Sequence, residues 1–345
     1  MVTSFVLLEP GDRIKPKSVI VKALGFQTSR RIPALVTALS ESLKGRSFTR
    51  VADWSRDELE QVLELADDLK ARQERREEHL LLAGRTLGMI FQKPSTRTRV
   101  SFEVGIYQLG GIGLYLSAGD LQLGRGETVR DTATVLSRYL DAIMIRTFAQ
   151  SDVEELAEHA SIPVINGLTD SSHPCQALAD VMTIRERFGR LDGLRVVYLG
   201  DGNNVCASLM VACAKLGMEF VAATPQSYRP DERVVEIARG AGGTVELTDD
   251  PRAAVERADV LYTDVWTSMG QDAEREQRLR DLAGYGIDGE LVRRAGDSAV
   301  VLHCLPAHYG EEITEDVLYG PRSAVWDQAE NRLHAQKALM ALVIR

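Results

Sequence analysis

The segment Ser95–Arg99, with the sequence STRTR, places hydroxyl and guanidinium groups directly after an apolar run that ends at Phe91. If a helix begins here, its free backbone N–H groups and its positive end point toward a bound anion. A guanidinium also presents a planar fork of donors that matches phosphate oxygens. The alternative is a capped, solvated helix start with both arginines on the surface. We favour the first interpretation and predict a phosphate-binding site.

A second segment, His173-Pro174-Cys175-Gln176, opens another predicted helix. The field of a helix N-terminus disfavours an extra proton, so His173 should stay neutral and be able to polarise a carbonyl oxygen. Gln176 lies one turn further along, on the same helix face. The alternative is a packed, hydrogen-bonded histidine with no role in chemistry.

Two segments in the second half of the chain could hold a charged amino acid. Asp264 follows the apolar run Val260–Thr263, where a carboxylate can pair with an ammonium group, or simply cap the next helix. The following residues, through Gly270, have the composition of a mobile loop. The turn 199–204 (LGDGNN) lacks the full glycine pattern of a dinucleotide site, and its asparagines either hold a carboxylate or make the turn.

The segment His303-Cys304-Leu305-Pro306 ends a further apolar run. A free cysteine is usually a small buried apolar residue, but beside cations its thiolate would be stabilised and available. His303, Cys304 and His308 also cluster, although no second Cys/His pair has zinc-like spacing. We therefore expect no metal and no cofactor. Arg332, in the last predicted helix, is a further candidate for anion binding.

These segments follow short apolar runs that alternate with helical stretches. The predicted strands are Thr86–Phe91, Gly113–Leu116, Ala142–Ile145 and Val164–Ile165, then Arg195–Leu199, Phe220–Ala223, Thr244–Leu247, Val260–Thr263 and Ala299–Leu302. Such alternation predicts parallel sheets covered on both faces, with ligands bound beyond the carboxyl ends of the strands. We predict an α/β protein of two lobes, each a mainly parallel sheet flanked by helices, linked by interdomain helices.

Length and composition agree with two ordinary globular domains. The chain has 345 residues, against about 150 per domain, and 44% of them are apolar, which excludes a disordered chain. The 41 basic and 50 acidic residues give a net charge of −9, so a basic nucleic-acid surface is not expected. No apolar run approaches the roughly 20 residues of a membrane span. Four cysteines do not form a disulfide framework and suggest a cytoplasmic setting.

The order of these segments resembles the ornithine carbamoyltransferase family. Ser95–Arg99 and His173–Gln176 are similar to motifs of the wider aspartate/ornithine carbamoyltransferase superfamily. Asp264–Gly270 and His303–Pro306 resemble motifs that select ornithine rather than aspartate as the acceptor. The resemblance extends from about Leu43 to the C-terminus.

The resemblance implies carbamoyl transfer from carbamoyl phosphate to the δ-amine of L-ornithine, giving L-citrulline and phosphate. We expect this reaction to run in the biosynthetic direction, toward arginine. The carbamoyl phosphate site would comprise Ser95, Thr96, Arg97, Thr98, Gln122, Arg146, His173, Pro174, Cys175, Gln176, Cys304, Leu305 and Arg332. The ornithine site would comprise Asn204, Asp264, Ser268 and Met269. The groups acting in catalysis would be Cys304, His173, Arg97 and Asp264.

The resemblance also implies a homotrimer with shared active sites, because Gln122 lies in the loop that reaches a neighbouring subunit. The expected division is an N-terminal extension (1–42), a carbamoyl phosphate-binding domain (43–175 with 328–345) and an ornithine-binding domain (176–327). Gln92 and Tyr309 depart from the family pattern, which has glutamate and arginine there. Two alternatives stay open: a carbamoyltransferase for another amine, such as putrescine, and a catalytically silent regulatory relative.

Overall fold

The computed structural model of the protein describes residues 42–117, 119, 121, 126–268, 270 and 272–345. Two parallel β-sheets organise this part of the chain. The first contains strands β1 (Thr86–Phe91), β2 (Ile112–Ser117), β3 (Ala142–Arg146) and β4 (Val164–Leu168), in the order β2-β1-β3-β4. The second contains β5 (Arg195–Leu199), β6 (Glu219–Ala223), β7 (Val245–Thr248), β8 (Val260–Thr263) and β9 (Val300–His303), in the order β7-β6-β5-β8-β9.

Helices connect successive strands and cover the sheets. In chain order they are α1 (Arg56–Glu74), α2 (Thr96–Gln108), α3 (Val129–Leu136), α4 (Gln150–His159), α5 (Pro174–Phe188), α6 (Asn204–Lys215), α7 (Glu232–Gly240), α8 (Pro251–Ala254), α9 (Arg275–Asp281), α10 (Gly289–Arg294), α11 (Glu315–Leu318) and α12 (Val325–Val343). Among the described helices, none has the length and apolar character needed to cross a bilayer.

Most strands are buried on both faces, as expected for parallel sheets with helices on either side. This confirms the predicted fold class of two lobes, each a parallel sheet flanked by helices. Strand β2 is the exception. It forms an edge of the first sheet, pairs only with β1 among the described strands, and leaves Ile112, Leu114 and Tyr115 exposed.

Two long helices join the lobes. Helix α5 follows the last strand of the first sheet and packs against α6 of the second lobe. Helix α12 follows β9 and packs against α5, α1 and α2. The prediction that interdomain helices link the lobes is therefore confirmed, and the last of them begins at Val325. Most of its residues are buried because helices from both lobes surround it.

The strand order places the carboxyl ends of four strands around one cleft. In each sheet, successive strands are added first on one side of the starting strand and then on the other. The order reverses between β1 and β3 in the first sheet and between β5 and β8 in the second. Crevices for ligands form at such switch points because the following connections leave on opposite faces. The segments singled out for their chemistry follow β1, β4, β5, β8 and β9.

Some predicted strand boundaries were wrong by one residue. Strand β2 spans Ile112–Ser117 rather than Gly113–Leu116, and β7 spans Val245–Thr248 rather than Thr244–Leu247. Helix α2 begins at Thr96, because Ser95 is its N-cap and its hydroxyl accepts the Thr98 N–H. At α1, Ser55 and Glu58 form a capping box with both reciprocal hydrogen bonds present.

Candidate active site

The segment Ser95–Arg99, predicted to bind phosphate, forms the first turn of α2 and contacts Arg332 on α12 and Leu305 after β9. Ser95 Oγ accepts the backbone N–H of Thr98 at 3.2 Å, so the hydroxyl satisfies one of the free donors of the helix start. Thr98 Oγ1 accepts a hydrogen bond from Arg332 Nη2 at 3.1 Å. Arg97 Nη2 donates to the carbonyl oxygen of Leu305 at 2.6 Å, and this bond crosses from the first lobe to the second. Thr96, the first residue of α2, is exposed.

Three guanidinium groups meet at this helix start. Arg146 ends β3 and Arg332 lies on α12, and both are buried. Burial, with the nearby charges of Arg332 and Arg97, lowers the pKa of Arg146 to about 10. Burial and the charge of Arg97 also lower the pKa of Arg332. The Nε atoms of Arg146 and Arg332 are buried with no hydrogen-bond partner among the described residues. Such a cluster is stabilised by an anion that accepts these hydrogens.

His173 is a neutral group beside the three cations. It is the N-cap residue of α5, and its backbone N–H donates to Ser208 Oγ at 2.8 Å. Burial lowers the pKa of its buried ring well below the usual value, and the charges of Arg332, Arg146 and Arg97 act in the same direction. This lowered pKa agrees with the predicted neutral imidazole, and its causes are burial and the arginine charges.

The other residues of the second segment divide into two groups. Gln176 is buried, and its Oε1 accepts a hydrogen bond from Arg332 Nη1 at 2.9 Å, so its amide contacts the cluster of three arginines. Pro174 is the buried first residue of α5. The Cys175 side chain instead points toward β4, where its thiol contacts the Asn166 carbonyl oxygen at 3.3 Å. Burial raises the pKa of this thiol to about 12, so it is an apolar packing group.

Asp264 and Cys304 lie side by side at the carboxyl ends of β8 and β9. Cys304 Sγ donates to Asp264 Oδ1 at 2.9 Å. Burial and the Asp264 carboxylate raise the pKa of the Cys304 thiol well above its usual value, and the opposing effect of Arg97 is smaller. The expectation of a stabilised thiolate is therefore wrong, because the nearest charged partner is an acid rather than a cation. Cys304 serves as a hydrogen-bond donor to Asp264.

Asn203 contacts Asp264 directly, although only its neighbour Asn204 was assigned to the ornithine site. Its Nδ2 donates to Asp264 Oδ2 at 2.8 Å, while its Oδ1 caps α6. Asn204, the predicted ligand residue, donates instead from Nδ2 to the carbonyl oxygen of Thr169 at 2.6 Å. The position of Asn203 directly before a helix was the available signal, because asparagine is a favoured N-cap.

Two further predicted residues, Leu305 and Ser268, follow the ends of strands β9 and β8. Leu305 follows β9 with a φ of 58°, and its carbonyl oxygen is the acceptor for Arg97. Ser268 is partly buried and lies past the end of β8, after Asp264. Gln122 and Met269 are outside the described residues, so their predicted roles stay predictions.

The structure does not group His303, Cys304 and His308 in the way that the sequence suggested. Asp264, His303 and Cys304 have ligand atoms within 4.8 Å of one another, whereas His308 lies with Glu311 and Glu312. Both ring nitrogens of His303 have partners: Nδ1 accepts the Leu305 N–H at 2.8 Å, and Nε2 lies 3.1 Å from Glu312 Oε1. A metal ion would have to displace one of these hydrogen bonds. The expected absence of a metal stays a prediction.

Comparison with known proteins gives consistent matches over most of the chain. Residues 46–186 match the family model described as "Aspartate/ornithine carbamoyltransferase, carbamoyl-P binding domain", and residues 192–343 match its "Asp/Orn binding domain". The ornithine carbamoyltransferase of Thermococcus kodakarensis is 58% identical over 307 residues, which is 88% of this chain and 98% of that protein. "Ornithine carbamoyltransferase, anabolic" of Pyrococcus furiosus is 56% identical, with the same coverage of both chains. A solved structure of ornithine carbamoyltransferase from Pyrococcus furiosus superposes with a TM-score of 0.85 at 56% identity, covering 88% of this chain and 98% of that one.

Proposed function

Because the chain belongs to the aspartate/ornithine carbamoyltransferase family, we propose that it transfers the carbamoyl group of carbamoyl phosphate to the δ-amine of L-ornithine, forming L-citrulline and phosphate. The observation that carries this proposal is the cluster of Arg97, Arg146 and Arg332 beside a neutral His173. Three cations favour a ligand with more than one negative charge. A neutral imidazole favours a carbonyl oxygen over a second anion. An acyl phosphate offers both groups in one molecule.

We assign carbamoyl phosphate mainly to the first lobe, residues 43–175 with 328–345. The phosphate would lie at the start of α2, and the carbamoyl group between His173 and the carbonyl oxygen of Leu305. The proposed ligand residues are Ser95, Thr96, Arg97, Thr98, Arg146, His173, Pro174, Cys175, Gln176, Cys304, Leu305 and Arg332, with Gln122 from a neighbouring subunit. For Cys175 only the backbone is a suitable contact, because its thiol points toward β4.

The same groups would stabilise charge that develops during transfer. Attack on the carbonyl carbon forms a tetrahedral intermediate, whose oxyanion would receive hydrogen bonds from Arg97, Thr98 and His173. The phosphate gains negative charge as it leaves, and Arg146 and Arg332 would stabilise it. Both effects require no proton transfer from the protein, which agrees with a neutral His173.

L-ornithine would bind to the second lobe, residues 176–327, at the ends of β5 and β8. The carboxylate of Asp264 is the proposed partner of the α-ammonium group, and Asn204, Ser268 and Met269 complete the proposed site. The attacking δ-amine must be neutral, although its solution pKa is about 10, like that of lysine. Nearby guanidinium charges and partial desolvation favour the neutral form. Cys304, which is protonated, would orient this amine together with Asp264 and is not needed as a covalent nucleophile.

We propose the biosynthetic direction toward arginine and a cytoplasmic location. The name of the Pyrococcus furiosus relative supports the direction, since that protein is called anabolic. All four cysteines lie in the described part of the chain as free thiols, which supports a reducing compartment.

We also propose that the protein is a homotrimer with shared active sites. Edge strand β2 and the end of α2 carry a patch of exposed apolar side chains, with Tyr107 at 77%, Ile112 at 61%, Leu114 at 43% and Tyr115 at 41% exposure. Parallel strands are normally covered on both faces, and edge strands with apolar side chains invite pairing or packing with another chain. A second subunit would cover this patch.

Replacing Ile112 with lysine is expected to shift the native mass from trimer toward monomer, because it places a charge in the proposed contact. The exposed Ile237 on α7 of the second lobe is the matched control, and Ile237→Lys should leave the mass unchanged. Native mass spectrometry or light scattering makes the measurement. A monomeric unmodified protein would contradict the trimer.

The choice of acceptor can be tested with purified protein. We expect carbamoyl phosphate with L-ornithine to give citrulline at least about 100-fold faster than putrescine or aspartate gives its own product. The reason is that putrescine has neither an α-carboxylate nor an α-ammonium group, and two lost charge-assisted contacts correspond to about 3 kcal/mol or more. A colorimetric assay of carbamoylated products measures the rates. Preferential use of putrescine would support the alternative acceptor, and no product from any amine would support a silent relative.

A further inference from the structure

Asp180 is a buried carboxylate directly below the proposed carbamoyl phosphate site. It lies on α5 one turn after Gln176 and is fully buried. Asp180 Oδ1 accepts hydrogen bonds from Gln176 Nε2 at 2.8 Å and from Gln328 Nε2 at 2.6 Å. Asp180 Oδ2 accepts from the hydroxyl of Tyr262 at 3.2 Å. One carboxylate therefore receives hydrogen bonds from α5, α12 and β8.

Each glutamine also makes a second hydrogen bond at the other end of its amide. Gln176 Oε1 accepts from Arg332 Nη1 at 2.9 Å. Gln328 Oε1 accepts from the backbone N–H of His303 at 2.9 Å, directly before Cys304. Both glutamines are buried, so an unpaired amide group at either end would be costly.

The donors and acceptors of this network allow one arrangement. An ionised carboxylate only accepts hydrogen bonds, so both amides must turn their NH₂ groups toward Asp180. Guanidinium and backbone N–H groups only donate, so Arg332 and His303 require the amide oxygens. Reversing either glutamine would bring two donors together at one end and two acceptors together at the other.

We propose that Asp180 is a positioning residue, whose carboxylate fixes the amide orientation of Gln176 so that Oε1 faces the carbamoyl phosphate. This inference rests on the proposed function. A carbamoyl group offers an NH₂ donor, and an amide oxygen is the group that can accept from it. Through Gln328 the same carboxylate also holds the backbone N–H of His303, the residue before Cys304.

The protonation state of Asp180 sets the conditions of the test. Burial raises its pKa to about 7, although the hydrogen bonds from Gln176, Gln328 and Tyr262 lower it. Measurements at about pH 8.5 therefore keep the carboxylate ionised.

The test compares Asp180→Asn with the unmodified protein by calorimetry, using carbamoyl phosphate and inorganic phosphate as separate ligands. Asparagine can present either NH₂ or oxygen to Gln176, so the glutamine orientation is no longer enforced. We expect carbamoyl phosphate to bind about tenfold more weakly, which corresponds to the loss of one hydrogen bond. The affinity for inorganic phosphate should change by less than about threefold. Tyr262→Phe is the matched control. It removes a hydrogen bond to the same carboxylate and the contact of Gln328 Nε2 with the Tyr262 hydroxyl at 3.1 Å, but it leaves the hydrogen bonds from both glutamines to Asp180. Its ratio of the two affinities should equal that of the unmodified protein.

An unchanged ratio of the two affinities in Asp180→Asn would overturn the inference, since general loss of structure affects both ligands. Circular dichroism melting identifies a variant that does not fold, and Asp180→Ser then replaces it with a smaller group that both donates and accepts. If the unmodified protein fails to bind carbamoyl phosphate, the proposed function itself fails. Normal binding by the unmodified protein and by Asp180→Asn refutes only the role of Asp180.

Discussion

Replacing Arg97 with alanine is expected to weaken carbamoyl phosphate binding by about 100-fold, which corresponds to about 3 kcal/mol. The guanidinium contributes a full charge and a planar fork of donors, and charge-assisted hydrogen bonds of this kind are the strong ones. Removing it also ends the bond to the Leu305 carbonyl oxygen, so the two lobes lose a direct contact. Calorimetry with carbamoyl phosphate measures the effect, and turnover should fall at least as much, because the same group is proposed to stabilise the oxyanion.

Arg99 provides the matched control for Arg97. It belongs to the same turn of α2, but its side chain is half exposed and pairs with Glu103 one turn further along. An exposed ion pair of this kind contributes little. Arg99→Ala should therefore bind carbamoyl phosphate within about threefold of the unmodified protein. Equal losses in both variants would mean that the segment acts as a general cationic surface rather than as a defined site.

The second large effect is expected for Asp264→Asn, which should raise the KM for ornithine by about 50-fold and leave carbamoyl phosphate affinity unchanged. The substitution keeps the shape of the side chain and removes the charge proposed to attract the α-ammonium group. Truncating a buried charge contact of this kind typically costs 2 kcal/mol or more, about 30-fold or greater. Steady-state kinetics with each substrate varied in turn separates the two constants.

Asp259, at the other end of the same strand, is the control for Asp264. It precedes β8, and its carboxylate accepts the backbone N–H of Arg195 at 2.8 Å. Asp259→Asn should reduce stability slightly without changing the KM for ornithine. If Asp264→Asn bound ornithine normally, its carboxylate would only hold Asn203 and Cys304 in place.

The sequence alone was sufficient to predict the architecture and the position of the Ser95–Arg99 segment in it. Ser95–Arg99 could be placed at a strand end because a buried apolar run precedes it and a helical pattern follows. Parallel strands share the edge at which they end, so Asp264 could also be placed beside the cleft, whereas Arg146 was assigned only through the family resemblance. For Ser95–Arg99 and Asp264 the deciding information lies in the neighbouring strand and helix patterns.

The protonation of Cys304 could not be predicted in this way. Its pKa depends on whether a cation or an anion is closest in space, and Asp264, 40 positions earlier, is the immediate partner. The network at Asp180 was missed for the same reason, since Gln176 and Gln328 reach the same carboxylate only when helices α5 and α12 pack together. Asn203 was not assigned to the site because either of two adjacent asparagines could contact the ligand or form the turn. Only the backbone geometry shows that Asn203 contacts Asp264 and that Asn204 contacts Thr169.

Helix α12 gives the two halves of the cleft a mechanical connection. Arg332 and Gln328 are separated by one turn of this helix, and the first contacts Thr98 while the second holds the backbone at His303. A hydrogen-bonded helix resists stretching, so we expect any displacement of Arg332 by an arriving anion to move Gln328 and the strand end next to Cys304 as well. In that case occupancy of one half of the cleft would change the free energy of filling the other, and by thermodynamic linkage the effect would be equal in both directions.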